Sequence, residues 1–234
     1  MDIPKNWTFK SKEIAKGFTD HVREQLPWYD LVTKSVVNFG RHYIPKSGTV
    51  YDIGASTGNI GNALREVIED RNAKLIAIEE SKEMVDQYTG PGDIVNADAI
   101  DFPYKPFDFC VLFLVLMFIP LSKRSELIRK LVQALNPGGC IVIVDKINTP
   151  EGYFGTAMRR LTMQVKIDNG ANPEDVIKKE LSLAGYQRPV DASTLPYNAK
   201  TFFQFGEFAG WVIESSFDEW ASYKLNKAGN IGKL

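Results

Sequence analysis

The sequence is poor in the residues that build metal centres and disulfide frameworks. Two cysteines, Cys110 and Cys140, and two histidines occur among its 234 residues. Both cysteines lie inside apolar stretches, where we expect small buried side chains. Neither belongs to the clustered spacing that is typical of a zinc site or of a disulfide-rich domain. The sequence therefore predicts neither a metal site nor a disulfide framework.

Long hydrophobic runs and an excess of one charge are also missing. The most apolar stretch, residues 107–121, is too short to span a bilayer and contains Asp108 and Pro120. The first twelve residues contain no apolar segment of the kind found in signal peptides, so we expect a cytoplasmic protein without a membrane partner. Lysine and arginine number 28 against 29 aspartates and glutamates, and the resulting net charge of -1 creates no strong field toward nucleic acid.

Strand-like and helix-like patterns alternate through most of the chain, which favours parallel strands joined by right-handed crossovers. The expected fold is α/β, with a doubly wound, seven-stranded, mostly parallel sheet of Rossmann-like type preceded by N-terminal helices. The predicted strands are 49–53, 74–78, 93–97, 107–116, 140–145, 200–205 and 208–214. The predicted helices are two over 11–43, broken near Pro27, and then 59–70, 81–88, 122–134, 154–165 and 173–184.

The domain organisation that follows is simple. We expect one domain over residues 1–216, made of a helical cap (1–46) and an α/β core (47–216), because no linker or repeat interrupts the pattern. Residues 217–234 form a polar, glycine-containing segment that is interpreted as a C-terminal tail.

A glycine turn, Gly54-Ala55-Ser56-Thr57-Gly58, follows the first predicted strand. It matches the G-x-S-x-G turn of α/β hydrolases, but that fold needs a histidine after the nucleophile. Here both histidines, His21 and His42, precede Ser56. The full G-x-G-x-x-G pattern of dinucleotide sites is also absent, because Ser56 replaces the second glycine. Both chemistries are therefore disfavoured.

A nucleoside cofactor without a pyrophosphate explains more positions. Asp52 would orient the turn, and Gly54 and Gly58 would let the backbone approach the ligand. Glu79, at the end of the second predicted strand, would accept hydrogen bonds from two ribose hydroxyls. Asp98-Ala99, after the third strand, could meet the amino group and a ring nitrogen of adenine.

Four segments in order resemble the class I S-adenosylmethionine-dependent methyltransferases. These are Val50-Tyr51-Asp52-Ile53-Gly54-Ala55-Ser56-Thr57-Gly58, Ile76-Ala77-Ile78-Glu79, Asn96-Ala97-Asp98-Ala99 and Leu135-Asn136-Pro137-Gly138-Gly139. Within that superfamily the chain is most similar to the carboxy-S-adenosylmethionine synthases of tRNA wobble-uridine modification, which also have a serine in the glycine turn. The likeness extends from about Phe9 to Glu214 and includes Leu26-Pro27-Trp28-Tyr29.

The resemblance implies a cofactor, S-adenosyl-L-methionine or a carboxylated derivative, and a set of contacts. Tyr29 would contact the cofactor, where its ring could stabilise a sulfonium by cation-π attraction. Gly54 would lie under the amino acid portion, Glu79 and Glu80 would flank ribose and adenine, and Asp98-Ala99 would hold adenine. The whole predicted set is Tyr29, Asp52, Gly54, Ala55, Ser56, Gly58, Glu79, Glu80, Asp98, Ala99 and Phe113.

Two departures from the synthases concern the carboxylated cofactor. Phe113 stands where that family carries an asparagine after strand four. The segment that carries the family's arginine for the added carboxylate is shorter here, and the nearest basic pair, Arg159-Arg160, is expected on a solvated helix face. Carboxyl transfer is thus left open, whereas binding of an S-adenosyl compound is expected.

The expected activity is methyl transfer to an unidentified small molecule or RNA. Alternatives are a carboxy-S-adenosylmethionine synthase and a non-catalytic protein that binds the cofactor. A DNA base is disfavoured, because Leu112-Phe113-Leu114-Val115 replaces the Asp/Asn-Pro-Pro-aromatic tetrad of DNA amino methyltransferases. The sequence leaves a homodimer open. No catalytic residue is assigned, because His42, Tyr43 and Asp145 are each expected to be structural.

Overall fold

A computed structural model of the protein describes residues 3–215, and seven strands of this part form one sheet. The strands are β1 (Thr49–Ile53), β2 (Lys74–Glu79), β3 (Asp93–Asn96), β4 (Phe107–Phe113), β5 (Leu135–Lys146), β6 (Lys200–Phe205) and β7 (Phe208–Glu214). Their order across the sheet is β3-β2-β1-β4-β5-β7-β6. The first five strands of this order are parallel, and β7 is antiparallel to both β5 and β6. The predicted fold class is confirmed.

Helices cover both faces of the sheet. They are α1 (Lys12–Gln25), α2 (Tyr29–Tyr43), α3 (Asn59–Asp70), α4 (Lys82–Val85), α5 (Leu121–Ala134), α6 (Gly152–Asp168) and α7 (Pro173–Ser182). On one face, Val111 packs in a core cluster with Val36 of α2 and Leu64 of α3. On the other face, Leu112 packs with Leu127 of α5. Because both faces of β4 are buried, its apolar residues are continuous in sequence, and each fully buried aliphatic side chain contributes about 1.5–3 kcal/mol.

The end of β4 differs from the prediction. The apolar run predicts a strand as far as residue 116, but β4 ends at Phe113. Leu114 has a φ of +62°, which turns the chain away from the sheet, and Leu116–Phe118 form a 3₁₀ turn. The apolar residues beyond Phe113 are therefore buried by tertiary contacts and not by strand pairing.

Among the other boundaries, those of β5 and α4 also differ. The segment Asn136-Pro137-Gly138-Gly139 belongs to β5, which begins at Leu135, because Leu135 already pairs with Phe107 of β4. Gly138, with a φ of +78°, lies where the register of this pairing shifts. The helix predicted over 81–88 is a single turn, α4, which Ser81 caps as expected by accepting the backbone N–H of Met84.

The N-terminal residues are part of the same packed structure. Trp7 donates its backbone N–H to Ser182 at the end of α7, at 2.9 Å. Its ring is buried in a cluster with Ile14, Met84 and Leu183. This arm therefore joins α1, α4 and the segment after α7, three elements that are far apart in sequence.

Several expectations concern residues or groups outside the sheet. Both cysteines are buried, as predicted, and they are not bonded to each other. No group of three or more metal-binding side chains occurs within residues 3–215, and no helix in that range is long and apolar enough to span a membrane. The predicted tail, 217–234, lies outside the described residues.

Candidate cofactor site

A cavity of about 240 Å³ opens at the carboxyl ends of β1, β2 and β4. Ligands of open α/β sheets bind at this edge, where the strand order reverses between β1 and β4. Nine of the eleven residues predicted for the cofactor line the cavity. They are Tyr29, Gly54, Ala55, Ser56, Glu79, Glu80, Asp98, Ala99 and Phe113.

The glycine turn forms one wall of the cavity. The backbone N–H groups of Gly54 and Ala55 both donate to the carbonyl of Ile78, at 2.8 and 3.0 Å, and so tie the turn to β2. Gly54 and Ser56 have φ values of +66° and +51°. A Cβ atom at Gly54 would lie 2.6 Å from a methyl group of Val115, so only glycine allows this close approach to the segment after β4.

The other two predicted residues lie behind the turn. Gly58 caps the N-terminus of α3 with a φ of +96°, and a Cβ atom there would lie 2.6 Å from the backbone nitrogen of Gly90. Asp52 is 1% exposed and accepts a backbone hydrogen bond from Gly61. Burial raises the pKa of Asp52 to about 7. Both residues therefore support the turn from behind, and neither lines the cavity.

Glu79 is held in place by the backbone around it. Its Oε2 accepts the N–H of Ser56 and its Oε1 accepts the N–H of Ser81, each at 2.9 Å. Burial raises the pKa of Glu79, and these hydrogen bonds oppose that rise. Each carboxylate oxygen keeps a further lone pair, so the group can still accept hydrogen bonds from a vicinal diol. Glu80 is less constrained, because it is exposed and pairs with Lys10 at 3.3 Å.

The loop after β3 is fixed against β2. Asp98 accepts the backbone N–H of Ile100 through Oδ1 at 2.8 Å, and the carbonyl of Ala99 accepts the hydroxyl of Tyr104 at 2.8 Å. The N–H of Ala97 donates to the carbonyl of Glu79 at 3.0 Å. Asp98 and Ala99 are thus brought beside Glu79, as the motif order predicts.

Aromatic rings form another part of the cavity wall. Tyr29 and Phe113 line the cavity with ring centroids 5.1 Å apart, and Phe208 of β7 lines it as well. Burial raises the pKa of the Tyr29 hydroxyl to about 12, so this group stays protonated. Trp28 packs behind them, 4.9 Å from Phe208. Phe208 both packs in the core and reaches the cavity.

A cluster of lysines on the β5 side of the cavity was not predicted. The lysine cluster consists of Lys146 at the end of β5, Lys166 on α6 and Lys179 on α7, and all three line the cavity. Lys146 and Lys166 are only 7% and 6% exposed. These residues lie far apart along the chain and form no motif. No signal in the sequence therefore identifies this cluster in advance.

The charges in this cluster are unevenly paired. Glu180 accepts hydrogen bonds from Lys166 at 3.1 Å and from Lys146 at 3.4 Å, and Glu207 lies 4.0 Å from Lys146. Lys179 instead lies 2.9 Å from Nε2 of His21. Burial lowers the pKa of Lys179 to about 6 and that of His21 to about 3. Within the described part of the chain, two carboxylates thus face three lysines.

The basic pair and the candidate bases from the sequence do not reach the cavity. Arg159 is exposed, as expected, and lies 3.8 Å from Glu207. His42 is exposed, and Tyr43 donates to Glu214 at the far end of β7. Asp145 is buried and accepts backbone N–H groups of the segment after β4. None of these three side chains lines the cavity.

The strand order, the antiparallel β7 and the glycine turn at the cavity are those of the class I S-adenosylmethionine-dependent methyltransferases. A family model described as a methyltransferase domain matches residues 50–139. The chain is 31% identical over 225 residues to the carboxy-S-adenosyl-L-methionine synthase of Staphylococcus epidermidis. The aligned segment covers 89% of this chain and 97% of that protein. The chain belongs to the carboxy-S-adenosyl-L-methionine synthase family of S-adenosylmethionine-dependent enzymes.

Other comparisons agree with this assignment. The synthase of a Shewanella species is 26% identical over 220 residues, which cover 90% of each chain. Human N-acetylserotonin methyltransferase in complex with SAM superposes with a TM-score of 0.57 at 13% identity, covering 89% of this chain and 57% of that one. The plantazolicin methyltransferase BpumL in complex with SAH also gives 0.57 at 13% identity, covering 87% and 90%. At this identity the two structures show the shared fold alone.

Proposed function

We propose that the cavity binds S-adenosyl-L-methionine and that the protein transfers the methyl group to an acceptor held in the same cavity. The observation that carries this proposal is the arrangement of nine predicted residues, from five separate segments, around one cavity. Methyl transfer from a sulfonium is an in-line displacement, so a protein can accelerate it by holding the two reactants in line and excluding water. A dedicated base is not required for an acceptor that is already nucleophilic.

The residue roles follow from the geometry of the site. Glu79, held by two backbone N–H groups, accepts both ribose hydroxyls with its remaining lone pairs. Asp98 accepts the amino hydrogens of adenine, and Ala99 offers its N–H to a ring nitrogen. The left-handed turn at Gly54 to Ser56 brings backbone close to the amino acid portion. Glu80 takes a peripheral position near ribose and adenine, because it is exposed.

Titration calorimetry with S-adenosyl-L-methionine and S-adenosyl-L-homocysteine tests the cofactor site. The wild-type chain is expected to bind both. Glu79→Gln should weaken both affinities by about tenfold or more, because it removes a charged hydrogen-bond acceptor worth about 1.5–3 kcal/mol. Glu69→Gln is the matched control, since Glu69 is an exposed residue of α3. Thermal unfolding of each variant shows whether the turn remains folded. A wild-type chain that binds neither compound would remove the proposal.

The acceptor is a small molecule that carries an anionic group. The lysine cluster supports this, because an anion beside Lys179 would compensate the positive charge that this side chain carries when it is protonated. Succinate and benzoate, titrated at pH 6 into protein saturated with S-adenosyl-L-homocysteine, are suitable probes. We expect at least one to bind, and to bind more weakly to Lys179→Met. Binding of bulk tRNA with no carboxylate binding would point to an RNA acceptor instead.

A carboxy-S-adenosylmethionine synthase is the second candidate, favoured by the same lysines. The anion that they bind would then be the carboxylate of the cofactor itself, and the relatives named as such synthases match this chain over nearly its full length. Mass spectrometry of ligand retained by the purified protein separates the two candidates. A retained cofactor heavier by one carboxyl group in place of a hydrogen supports the synthase, and unmodified S-adenosyl-L-methionine supports the methyltransferase.

A further inference from the structure

One member of the lysine cluster differs from the other two in its partners. Lys146 and Lys166 both donate to Glu180, at 3.4 and 3.1 Å, and Lys146 also lies 4.0 Å from Glu207. Among the described residues, no carboxylate forms an ion pair with Lys179. Two lysines and two carboxylates therefore balance each other, and the cluster is neutral only when Lys179 carries no proton.

The surroundings of the Lys179 nitrogen favour the neutral amine. Its Nζ lies 2.9 Å from Nε2 of His21 on α1 and directly over the indole ring of Trp7. Burial lowers the pKa of His21 to about 3, so its ring is a neutral imidazole. Burial, and then the charge of Lys166, lower the pKa of Lys179 to about 6, while Glu180 raises it. At pH 7 and above, the side chain of Lys179 is therefore an amine with a lone pair.

The neighbours of this amine leave its lone pair unused. A neutral amine has two N–H groups and one lone pair. With the hydrogen of His21 on Nδ1, Nε2 accepts one N–H of Lys179, and the face of the Trp7 ring accepts the other. Lys179 lines the cavity, so the lone pair remains for a ligand there.

The cavity near this amine has an apolar wall. Trp7 packs in one cluster with Phe9, Phe118 and Leu183, and all four residues line the cavity with Lys179. Such a wall suits an uncharged ligand with an apolar body. A lysine that is desolvated among apolar side chains and lies beside a second cation is also the kind of lysine that attacks carbonyl carbons. The shape and the chemistry of the site therefore point to the same class of ligand.

We propose that Lys179 is a nucleophile that forms an imine with a small apolar aldehyde or ketone bound in the cavity. The lone pair of the amine forms a bond to the carbonyl carbon, and the π electrons of the C=O bond move to the oxygen. One proton passes from the nitrogen to this oxygen, with His21 as the carrier, and gives a carbinolamine. The C–O bond then breaks as the C=N bond forms, and the second proton of the nitrogen leaves with the hydroxide as water. No oxidant or reductant is consumed, and the reaction does not require the cofactor.

Reductive trapping with benzaldehyde and sodium cyanoborohydride tests this proposal, because the reductant converts an imine into a stable secondary amine. Mass spectrometry of the intact protein and of its peptides counts and locates the added benzyl groups. At pH 7 we expect Lys179 of the wild type to be labelled at least about tenfold faster than Lys178, its exposed neighbour on α7. This preference should shrink at pH 9, because a lysine with an ordinary pKa then loses more of its protons.

Three controls accompany the labelling. Lys179→Met should lose the fast label, and Lys178→Met should keep it. In urea, the unfolded wild type should show no preference for Lys179, because the burial and the contact with His21 are then lost. Folded wild-type protein in which Lys179 is labelled no faster than Lys178 at pH 7 would overturn the proposal, whether or not the variants fold. Binding of S-adenosyl-L-methionine by that same protein would leave the proposed function standing.

Discussion

The side-chain nitrogen of Lys179 lies 2.9 Å from Nε2 of His21, and neither group touches a carboxylate in the described part of the chain. Lys179 also lies over the ring of Trp7, which shields it from water. The charge of Lys166 also lowers the pKa of Lys179, and the Glu180 carboxylate already accepts hydrogen bonds from Lys166 and Lys146. Protonation of Lys179 therefore costs free energy in the folded protein. As a result, the free energy of unfolding should depend on pH.

The free energy of unfolding should rise with pH because of Lys179. Its pKa falls from 10.5 to about 6 on folding, so between these values the unfolded chain holds a proton that the folded chain lacks. Stability then increases with pH across this window, by at most about 1.4 kcal/mol per pH unit, and below pH 6 the contribution to the slope vanishes. Urea unfolding at pH 6, 7, 8 and 9 measures the slope, which should be smaller in Lys179→Met.

Lys178→Met is the control for this prediction. Lys178 is the neighbouring residue on α7 and makes an exposed ion pair with Glu174 at 2.9 Å. Its substitution should leave the slope as in the wild type. Curves for Lys179→Met and wild type that stay parallel over the four pH values would show that Lys179 keeps its ordinary pKa.

Elements with a strong local pattern were predicted from the sequence with their boundaries. The helix Asn59–Asp70 and the strands Lys200–Phe205 and Phe208–Glu214 agree with the structure residue by residue. In each of them the period of apolar residues, a capping turn or a flanking glycine defines the ends. The end of β4 could not be predicted in this way. Val115 and Leu116 continue the apolar run of the strand, but they are buried by tertiary contacts and not by strand pairing.

The residues of the candidate site also fall into a group that local sequence patterns predict and a group that they do not. The residues on the β1, β2 and β3 side follow strand ends in a fixed order, so sequence motifs predict them. Trp7, His21, Lys166 and Lys179 come together only when α1, α6, α7 and the N-terminal arm pack, and no spacing in the sequence encodes that meeting. The nearest basic pair in the sequence, Arg159-Arg160, is expected on a solvated helix face, and packing brings lysines to the cavity instead.

Three glycines with positive φ should differ in how they tolerate alanine. Gly54, Gly58 and Gly138 have φ values of +66°, +96° and +78°. At Gly138 a Cβ atom meets nothing within 4 Å, so Gly138→Ala carries only the backbone cost of about 1–2 kcal/mol. At Gly58 it would also meet the backbone of Gly90, which adds about 1–3 kcal/mol. Urea unfolding should therefore rank Gly58→Ala as the more destabilising of the two.

Gly54→Ala should in addition weaken cofactor binding. The added methyl group pushes against Val115, and both residues line the cavity. Calorimetry with S-adenosyl-L-homocysteine should show a loss in Gly54→Ala and wild-type affinity in folded Gly138→Ala. Equal affinities in these two variants would mean that the segment after β4 moves aside without cost.

Lysine should not be able to replace Arg124 without a loss of stability. Although it is only 5% exposed, its guanidinium donates to three carbonyls, those of Ile119, Arg188 and Pro189, at 3.0, 2.7 and 2.9 Å. A lysine ammonium cannot reach three acceptors in this planar arrangement, so Arg124→Lys should lower the free energy of unfolding by about 2–3 kcal/mol. Arg129→Lys, on the exposed side of the same helix, should change it by less than about 0.5 kcal/mol. Equal, small effects would show that these carbonyls find other donors.

Loss of the Asp145 carboxylate should lower both the stability of the fold and the affinity for the cofactor. Its carboxylate accepts the backbone N–H groups of Val115 at 3.1 Å, Met117 at 3.4 Å and Lys146 at 2.8 Å. Asp145→Ala leaves these buried donors without an acceptor, so it should lower the free energy of unfolding by about 2–5 kcal/mol. Because Val115 and Met117 line the cavity, the affinity for S-adenosyl-L-homocysteine should fall as well.

Asp108→Ala is the matched control for this last prediction, because Asp108 supports the opposite edge of the sheet. Its carboxylate accepts the backbone N–H of Thr49 and the side-chain amide of Asn136, each at 2.8 Å, at the amino ends of the strands. Asp108→Ala should therefore destabilise the fold while the folded fraction binds the ligand with wild-type affinity. If the two variants lose affinity in proportion to their loss of stability, general loosening of the sheet explains both. A specific loss in Asp145→Ala would show that this buried carboxylate sets the position of the segment after β4.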